Sequence, residues 1–220
     1  MKRASLAVAL SLTLPAALAA APGLYSPEPP ANSAFARFVP ASLGGPNEDV
    51  YVDGTLRAKN LAPGKPSNYL VVTAGSHSVK VSTAGKTDSL ATYTLQAEAK
   101  RFYTLPVQDG KVTLLSDGTN KDKLKALLAV YNLAASGNVN VTTADGSTKV
   151  FTGVAPGTAR SLAVNAVTVD LKVALGTAAP VTLKKTTFSS GGAYSIFVLA
   201  GKDGPSVGLV QNRTESYSGK

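Results

Sequence analysis

Residues 49–54 read Asp49-Val50-Tyr51-Val52-Asp53-Gly54, a short run of strand-forming residues that ends in an Asp-Gly pair. Valine and tyrosine favour strands, and alternation with a period of two is typical of a strand with one buried face. Asp-Gly favours the positive φ angles of a tight hairpin turn. The stretch therefore predicts a strand that turns directly into a second strand, as in an all-β protein.

The same pattern recurs along the chain. Further Asp-Gly pairs stand at 109–110 and 145–146, and turn signals recur at roughly the 8–12-residue spacing of a sandwich or barrel. The alternation from Val164 to Val173 predicts one longer strand. The good helix formers at 121–128 allow one short helix at most. Other strands are predicted at 35–39, 69–72, 76–81, 101–107, 127–133, 138–143 and 193–199.

The two halves of the chain repeat each other. Leu61-Ala62-Pro63-Gly64 corresponds to Val154-Ala155-Pro156-Gly157, and Val79-Lys80-Val81 corresponds to Leu171-Lys172-Val173, in each case about 92 residues further on. A repeat of this length indicates a duplicated domain, because solenoid repeats run roughly 20–50 residues. The sequence therefore predicts two consecutive antiparallel β-sandwiches, immunoglobulin-like or jelly-roll-like, each with its own core.

The predicted organisation has six segments. They are a cleaved signal peptide at 1–19, an extended proline-rich lead-in at 20–33, an N-terminal β-sandwich at 34–118, a linker at 119–126, a C-terminal β-sandwich at 127–213 and a tail at 214–220.

The first residues predict export. Lys2 and Arg3 precede an apolar run, Pro15 ends it, and Ala17-Leu18-Ala19 supplies the small residues of a cleavage site. This is the pattern of a secretory signal peptide, and the apolar run falls short of the roughly 20 residues that span a bilayer. We expect export and cleavage after Ala19, with a retained N-terminal anchor as the alternative.

Composition narrows the possible partners. The formal charge is +9, and removal of Lys2 and Arg3 leaves +7. The basic residues are scattered and not interleaved with aromatic residues, which argues against nucleic acid. An acidic polysaccharide or a lipid surface is a candidate partner for such a charge, and solubility alone is the alternative explanation.

The sequence offers no catalytic or metal-binding constellation. It has no cysteine, and His77 is its only histidine, so we expect no metal site, no cofactor and no enzyme. His77 shares the parity of Val79 and Val81 on an alternating strand, which predicts a packing or hydrogen-bonding role. No Gly-x-Ser-x-Gly motif is present. The acids stand mostly in turns, where aspartates usually bond locally: Asp53, Asp109, Asp117, Asp145 and Asp203.

Several short motifs resemble the AlgF family of alginate O-acetylation proteins. They are Leu24-Tyr25-Ser26-Pro27-Glu28-Pro29-Pro30 with Ala34-Phe35-Ala36-Arg37, Ala129-Val130-Tyr131-Asn132-Leu133, Val141-Thr142-Thr143-Ala144-Asp145-Gly146, Pro180-Val181-Thr182-Leu183 and Tyr194-Ser195-Ile196-Phe197-Val198. The first half also resembles secreted β-domains of the DUF4397 type, and Pro40 stands before Ala41-Ser42 where an asparagine would be expected. That departure leaves the identity of the polymer open.

The resemblance implies a function. It implies a non-catalytic periplasmic adaptor in O-acetylation of an exported, alginate-like polysaccharide. Its implied partners are periplasmic SGNH-type acetyltransferases and a membrane O-acyltransferase. A secreted carbohydrate-binding or cell-surface β-module with no acetylation role is the alternative. Tyr25, Arg37 and Asn132 lie in the stretches that carry the resemblance and are the predicted partner contacts. The competing readings are an outward strand residue for Arg37 and a turn or bulge hydrogen-bonder for Asn132.

Overall fold

The structure is a computed structural model that describes residues 28–217, and every regular element in that range is a β-strand. The strands of the first half are β1 (Ser33–Pro40), β2 (Glu48–Val52), β3 (Thr55–Leu61), β4 (Leu70–Thr73), β5 (Gly75–Thr83), β6 (Ser89–Ala97), β7 (Phe102–Gln108), β8 (Lys111–Val112) and β9 (Leu115–Ser116). Those of the second half are β10 (Ala126–Asn132), β11 (Val139–Thr143), β12 (Lys149–Val154), β13 (Thr158–Val164), β14 (Thr168–Leu175), β15 (Val181–Thr187), β16 (Ala193–Gly201) and β17 (Gly204–Gln211). The predicted all-β sandwich class is confirmed.

The strands form four sheets. The first half has an outer sheet of order β3-β2-β5-β6 and an inner sheet of order β4-β1-β7-β8, in which β9 also pairs with β7. The second half has an inner sheet of order β13-β10-β16-β17 and an outer sheet of order β12-β11-β14-β15. Each order in the second half reproduces one in the first, with β10 in the place of β1 and β16 in the place of β7. The repeat is therefore one of topology as well as of sequence.

The inner sheets are mixed rather than purely antiparallel. β1 pairs with β7 in parallel, and β10 pairs with β16 in parallel. The other pairings between the strands of residues 28–217 are antiparallel, as the sequence predicts. A parallel pair needs a long crossover, and here the strands of the outer sheet supply it in each half.

Each sandwich has its own core. In the first, Ala36 and Phe38 of β1 point toward the outer sheet and pack in one buried cluster with Val50 of β2. In the second, Leu128 and Val130 of β10 do the same toward their outer sheet. The side chains in between therefore point the opposite way, out of their own sandwich.

Those outward faces of the two inner sheets pack against each other. Val39 of β1, Ala129 and Tyr131 of β10, and Phe197 and Leu199 of β16 belong to a third buried cluster. Because β1, β10 and β16 are covered on both faces, almost every residue in them is buried. This explains why they read as apolar runs rather than as alternations. The described chain is thus four stacked sheets, with the inner two in contact.

The hairpin predicted from residues 49–54 is present. Asp53 and Gly54 link β2 to β3 with φ angles of 50° and 77°. Positive φ at both central residues matches the twist of the flanking strands, which is why Asp-Gly is favoured there.

One local prediction is wrong, and a helix that the sequence allowed is absent. Residues 121–128 contain no helix, because β10 begins at Ala126 and its burial between two sheets outweighs helix propensity. The predicted long strand from Val164 to Val173 is broken, since β13 ends at Val164 and β14 begins at Thr168. The chain crosses from the inner to the outer sheet at this break.

The predicted segment boundaries stay predictions. β9 ends at Ser116 and β10 begins at Ala126, so the predicted linker at 119–126 overlaps the start of a strand. The predicted signal peptide with its cleavage at Ala19, and most of the lead-in, lie outside the described residues.

Candidate functional site

Arg37 is the most unusual residue between the two inner sheets. It lies on β1 between Ala36 and Phe38, which face the first core, so its side chain points toward the second sandwich. It is only 1% exposed. A buried guanidinium is costly unless it is paired and hydrogen-bonded, so its surroundings define the first candidate site.

The Arg37 guanidinium bonds to both halves of the chain. Its Nε donates to Thr104 Oγ1 (2.9 Å), within the first sandwich. Its Nη2 donates to Tyr131 Oη (2.9 Å) and to Ser195 Oγ (2.8 Å), and its Nη1 donates to Asn212 Oδ1 (2.8 Å). These are four bonds from a group with five N–H donors. The guanidinium thus joins the two sandwiches through directional bonds.

Aromatic rings cover the same guanidinium. Its carbon lies 4.5 Å from the ring centre of Tyr69, 5.2 Å from that of Tyr131 and 5.0 Å from that of Phe197. Ring faces attract a cation most strongly when water is excluded. Arg37 is therefore enclosed by both hydrogen-bond acceptors and π systems.

Asp117 supplies the negative charge of this cluster through intervening hydroxyls. Tyr69 and Thr104 donate to its Oδ2, and Tyr131 donates to its Oδ1, each at 2.7 Å. Thr104 and Tyr131 also accept from Arg37, so each hydroxyl relays a hydrogen bond from the cation to the carboxylate. We call Arg37, Tyr69, Thr104, Asp117, Tyr131, Ser195 and Asn212 the Arg37 cluster.

The two tyrosines of the cluster stay protonated at physiological pH. Burial raises the pKa of Tyr69 far above its usual range, and the Arg37 charge offsets only part of this. Burial raises the pKa of Tyr131 to about 12, and the Asp117 carboxylate adds to the rise. Both hydroxyls therefore remain donors to Asp117.

The end of the chain forms a second connection between the halves. Tyr69 N donates to the Arg213 carbonyl, and Glu215 N donates to the Tyr69 carbonyl, each at 2.9 Å. The Glu215 carboxylate accepts from Val71 N (2.8 Å) and pairs with Arg57. We call residues 213–215 the C-terminal strap, because they lie along the outer edge of β4. The predicted tail at 214–220 therefore begins with a docked segment.

A cleft of about 310 Å³ opens beside the Arg37 cluster. Its lining includes Tyr69, Phe102, Asn120, Asn212 and Arg213. This lining provides two aromatic rings, two amides and one cation, but no pairing of a nucleophile with a base. Ser195, the cluster's serine, accepts from Arg37 and donates to Asn212 Oδ1 (2.8 Å), so it has no base beside it. The arrangement suits binding and positioning rather than bond breaking.

His77 is buried and pairs with Asp53, whose side chain is exposed, away from the Arg37 cluster. Its Nδ1 lies 2.7 Å from Asp53 Oδ2 and its Nε2 lies 2.8 Å from the Thr73 carbonyl oxygen. Burial lowers its pKa, but the bonds to Asp53 and Thr73 outweigh that effect and the net shift is upward. Both ring nitrogens face acceptors, which suits the doubly protonated ring. The predicted hydrogen-bonding role of His77 is confirmed.

The three predicted partner contacts have different outcomes. Arg37 points out of its own sandwich, which agrees with the alternative prediction of an outward strand residue. The second sandwich covers it, however, so it is buried. Asn132 is 0% exposed and closes loops by donating to the Gly137 and Val154 carbonyls and accepting from Ala134 N. Neither side chain is presented to a partner in this structure, and any effect on one would act through the fold. Tyr25 lies outside the described residues and stays a prediction.

Sequence reasoning missed most of the Arg37 cluster. The sequence predicts Asp117 in a turn and Tyr131 and Ser195 in strands, and does not connect them with Arg37. One signal was available, since Arg37 is a charge in the strand Phe35-Ala36-Arg37-Phe38-Val39, whose other residues are apolar. The partners of Arg37 could not be found this way, because they lie between 67 and 175 residues away in sequence.

Residues 28–217 contain no group of three histidine, aspartate or glutamate side chains placed to hold a metal ion. No helix in that range is long and apolar enough to span a membrane.

Comparison of the sequence with known proteins identifies the family of the chain. The model of the family described as "Alginate O-acetyl transferase AlgF" matches residues 7–195. The chain is 33% identical over 196 residues to the alginate biosynthesis protein AlgF of Pseudomonas aeruginosa, covering 88% of this chain and 86% of that protein. It is 29% identical over 177 residues to the alginate biosynthesis protein AlgF of Azotobacter vinelandii, covering 80% and 76%.

A solved structure is also similar. It is the C-terminal domain of AlgF from P. aeruginosa, with 31% identity and a TM-score of 0.37, covering 41% of this chain and 100% of that one. The family match and the two relatives suffice without it: the chain belongs to the AlgF family.

Proposed function

We propose that this chain is a non-catalytic periplasmic adaptor in the O-acetylation of an exported, alginate-like polysaccharide. It brings together components of the acetylation system, namely periplasmic SGNH-type acetyltransferases and a membrane O-acyltransferase. The observation that carries the proposal is the family match over residues 7–195, together with relatives named for alginate biosynthesis. The signal-peptide pattern ending at Ala19 supports the location.

The adaptor role, rather than transferase activity, rests on the chemistry of the described residues. The matched family is described as a transferase, but acyl transfer by a serine needs a base within hydrogen-bond reach. The single histidine has both ring nitrogens engaged by Asp53 and Thr73. Ser195 is held by Arg37 and Asn212. These contacts support a structural role for both groups.

The architecture supports an adaptor in a second way. Arg37 and the C-terminal strap join the two sandwiches, so surfaces on both are held at a fixed separation and angle. An adaptor gains affinity when its binding surfaces are preorganised, because less freedom is lost on assembly. The two outer sheets remain uncovered by the rest of the described chain, as the exposed faces of β3 and β15 indicate.

Deletion of the gene tests this proposal. We expect the exported polymer to lose its acetyl esters while polymer export continues, and the wild-type chain to restore them. A His77→Gln, Ser195→Ala chain that is folded by circular dichroism should restore them as well. Unchanged acetyl content after deletion would overturn the proposal. Failure of the folded double variant would overturn its non-catalytic part.

A second candidate function is carbohydrate binding, which the cleft beside the Arg37 cluster favours. Phe102 offers a ring, Asn212 offers an amide nitrogen, and Arg213 offers a cation that suits a uronate carboxylate. This candidate predicts affinity for isolated polysaccharide without any partner protein, and that affinity should weaken as salt rises. No binding at low salt would exclude it.

A further inference from the structure

The duplicated fold places two equivalent pockets in the molecule, one in each sandwich. The strand registers show which residues of the two halves correspond. In the inner sheets, Phe35 of β1 pairs with Val71 of β4, and Leu127 of β10 pairs with Ala163 of β13. The outer sheets agree, since Val81 pairs with Val50 as Val173 pairs with Val141. By these registers β13 is the counterpart of β4.

The same registers pair the linings of the two pockets. The pocket of the first sandwich is lined by Arg57, Val72 and His77, among others. Their counterparts are Val150, Val164 and Val169, and these three also line one pocket of the second sandwich. The two pockets are therefore copies of one feature of the fold, at the open edge between inner and outer sheet.

The first copy is occupied by the chain itself. The C-terminal strap lies along the edge of β4, with Tyr69 and Thr214 forming a parallel bridge. The Glu215 carboxylate binds Val71 N and Arg57, and Tyr217 lines the pocket. This half of the molecule therefore shows what the feature accepts: an extended segment that adds to the sheet edge and places a carboxylate on a cation.

The second copy is open in the described chain. β13 has β10 on one side and no strand of residues 28–217 on the other. The pocket next to it is about 490 Å³, against about 240 Å³ for the first copy. Val150 and Val169 replace Arg57 and His77 of the first copy. Val167, which also lines the open copy, is 47% exposed. The open copy is larger and more apolar than the occupied one.

The side chains that line the open copy carry a net positive charge. Lys125 and Lys149 are exposed and line the pocket, and its lining contains no aspartate or glutamate. An acidic segment is favoured beside two lysines, as Glu215 is beside Arg57. Apolar pocket, free strand edge and flanking lysines together specify one kind of occupant.

We propose that the edge of β13 and its pocket form a docking groove for an extended segment of a partner protein. That segment carries an apolar side chain into the pocket and carboxylates beside Lys125 and Lys149, and it adds a strand to the inner sheet. This groove would give the adaptor proposed above the chemistry of one of its partner contacts. Its role as an adaptor surface therefore rests on that proposed function.

A binding experiment on the full chain tests the groove directly. The probe is a short fluorescent peptide of alternating valine and glutamate, measured by anisotropy. We expect binding, with at least about tenfold weaker affinity for a Val167→Asp chain, because an apolar contact is lost and a like charge faces the peptide. Leu90→Asp is the matched control, since Leu90 on β6 is 42% exposed and lies in the other sandwich. It should bind as the wild type does.

Two control peptides separate the parts of the proposal. Replacing glutamate by lysine should abolish binding through charge, and replacing valine by serine should abolish it through the pocket. Equal binding of all three peptides, or of the Val167→Asp chain, would overturn the groove. So would absence of binding to the wild-type chain.

Other occupants give other results. If Val167→Asp converts a dimer into a monomer in sedimentation, the occupant is a second copy and the partner proposal is wrong. A membrane surface as the occupant would also make the partner proposal wrong. In that case the wild-type chain binds anionic vesicles, Val167→Asp abolishes this binding, and the peptide does not compete with the vesicles. The gene deletion reports separately: unchanged polymer acetylation with selective peptide binding would reject the acetylation role and keep the groove.

Discussion

Arg37 Nη2 donates a hydrogen bond to Tyr131 Oη across the boundary between the two sandwiches, at 2.9 Å. Tyr131 in turn donates to Asp117, so a single hydroxyl links a buried cation to a half-buried carboxylate. Removing one side of such a pair leaves the other charge uncompensated inside the protein. The stability of the described fold should therefore depend on this relay far more than on surface ion pairs.

Arg37→Leu should destabilise the protein by at least about 2 kcal/mol, because the acceptors of four hydrogen bonds lose their charged donor and the half-buried Asp117 loses its nearby cation. Urea unfolding followed by tyrosine fluorescence measures the change. Arg101→Leu is the matched control: Arg101 pairs with Glu98 at 3.5 Å and is 64% exposed, so its loss should cost less than about 1 kcal/mol. Equal costs for the two variants would contradict the role given to Arg37.

Tyr131→Phe should cost about 1–3 kcal/mol, because it removes a hydroxyl that both accepts from Arg37 and donates to Asp117. Tyr93→Phe serves as control, since the Tyr93 ring packs against the first core and no hydrogen bond of its hydroxyl is found within residues 28–217. Equilibrium unfolding of both variants gives the comparison. A Tyr131→Phe variant as stable as the wild type would show that the Tyr131 hydroxyl does not contribute to stability through its bonds to Arg37 and Asp117.

Glu215→Gln should loosen the C-terminal strap without unfolding the protein. Arg57 and Glu215 are each 28% exposed, so we expect only about 1 kcal/mol from this pair. Hydrogen exchange at the Val71 amide, which donates to Glu215, should become faster. Exchange in β14 of the second sandwich should not change, and Glu98→Gln should leave Val71 as it is. Unchanged protection of Val71 in Glu215→Gln would contradict the contribution of the Glu215 charge to holding the strap.

His77 should make stability depend on pH. Its pKa is raised in the folded protein, so its stabilisation is fully present below the unfolded pKa of about 6.5 and is lost as pH rises through the folded value. The Tm difference between wild type and His77→Gln should therefore be larger at about pH 5.5 than at about pH 8.5. A difference that grows with pH would contradict the assignment.

NMR offers a direct check on the same pair. His77 is the only histidine, so its ring resonance is unambiguous, and it should titrate above about 6.5. Asp53→Asn should bring the midpoint down, because the Asp53 carboxylate holds the charged ring.

The sequence predicts the parts of this fold that local patterns encode. Asp53-Gly54 specifies a hairpin because its φ angles are local, and the repeat near 92 residues predicts that each half has the same topology. Burial of β10 on both faces depends on a sheet from the other half of the chain. Local propensity at residues 121–128 therefore allows a helix that the structure does not contain. Arg37 could be noticed as a charge among apolar neighbours, but its partners could not, because tertiary packing alone brings Thr104, Ser195 and Asn212 together.

The central claim is that two sandwiches form one body held by Arg37. Double electron–electron resonance tests it most directly, because the chain has no cysteine and two introduced ones carry the only spin labels. Lys59→Cys on β3 and Lys184→Cys on β15 place labels on exposed positions of the two outer sheets. The account predicts one narrow distance distribution, which broadens when Arg37→Leu is added under conditions where the variant stays folded. A broad distribution in the chain that retains Arg37 would contradict it.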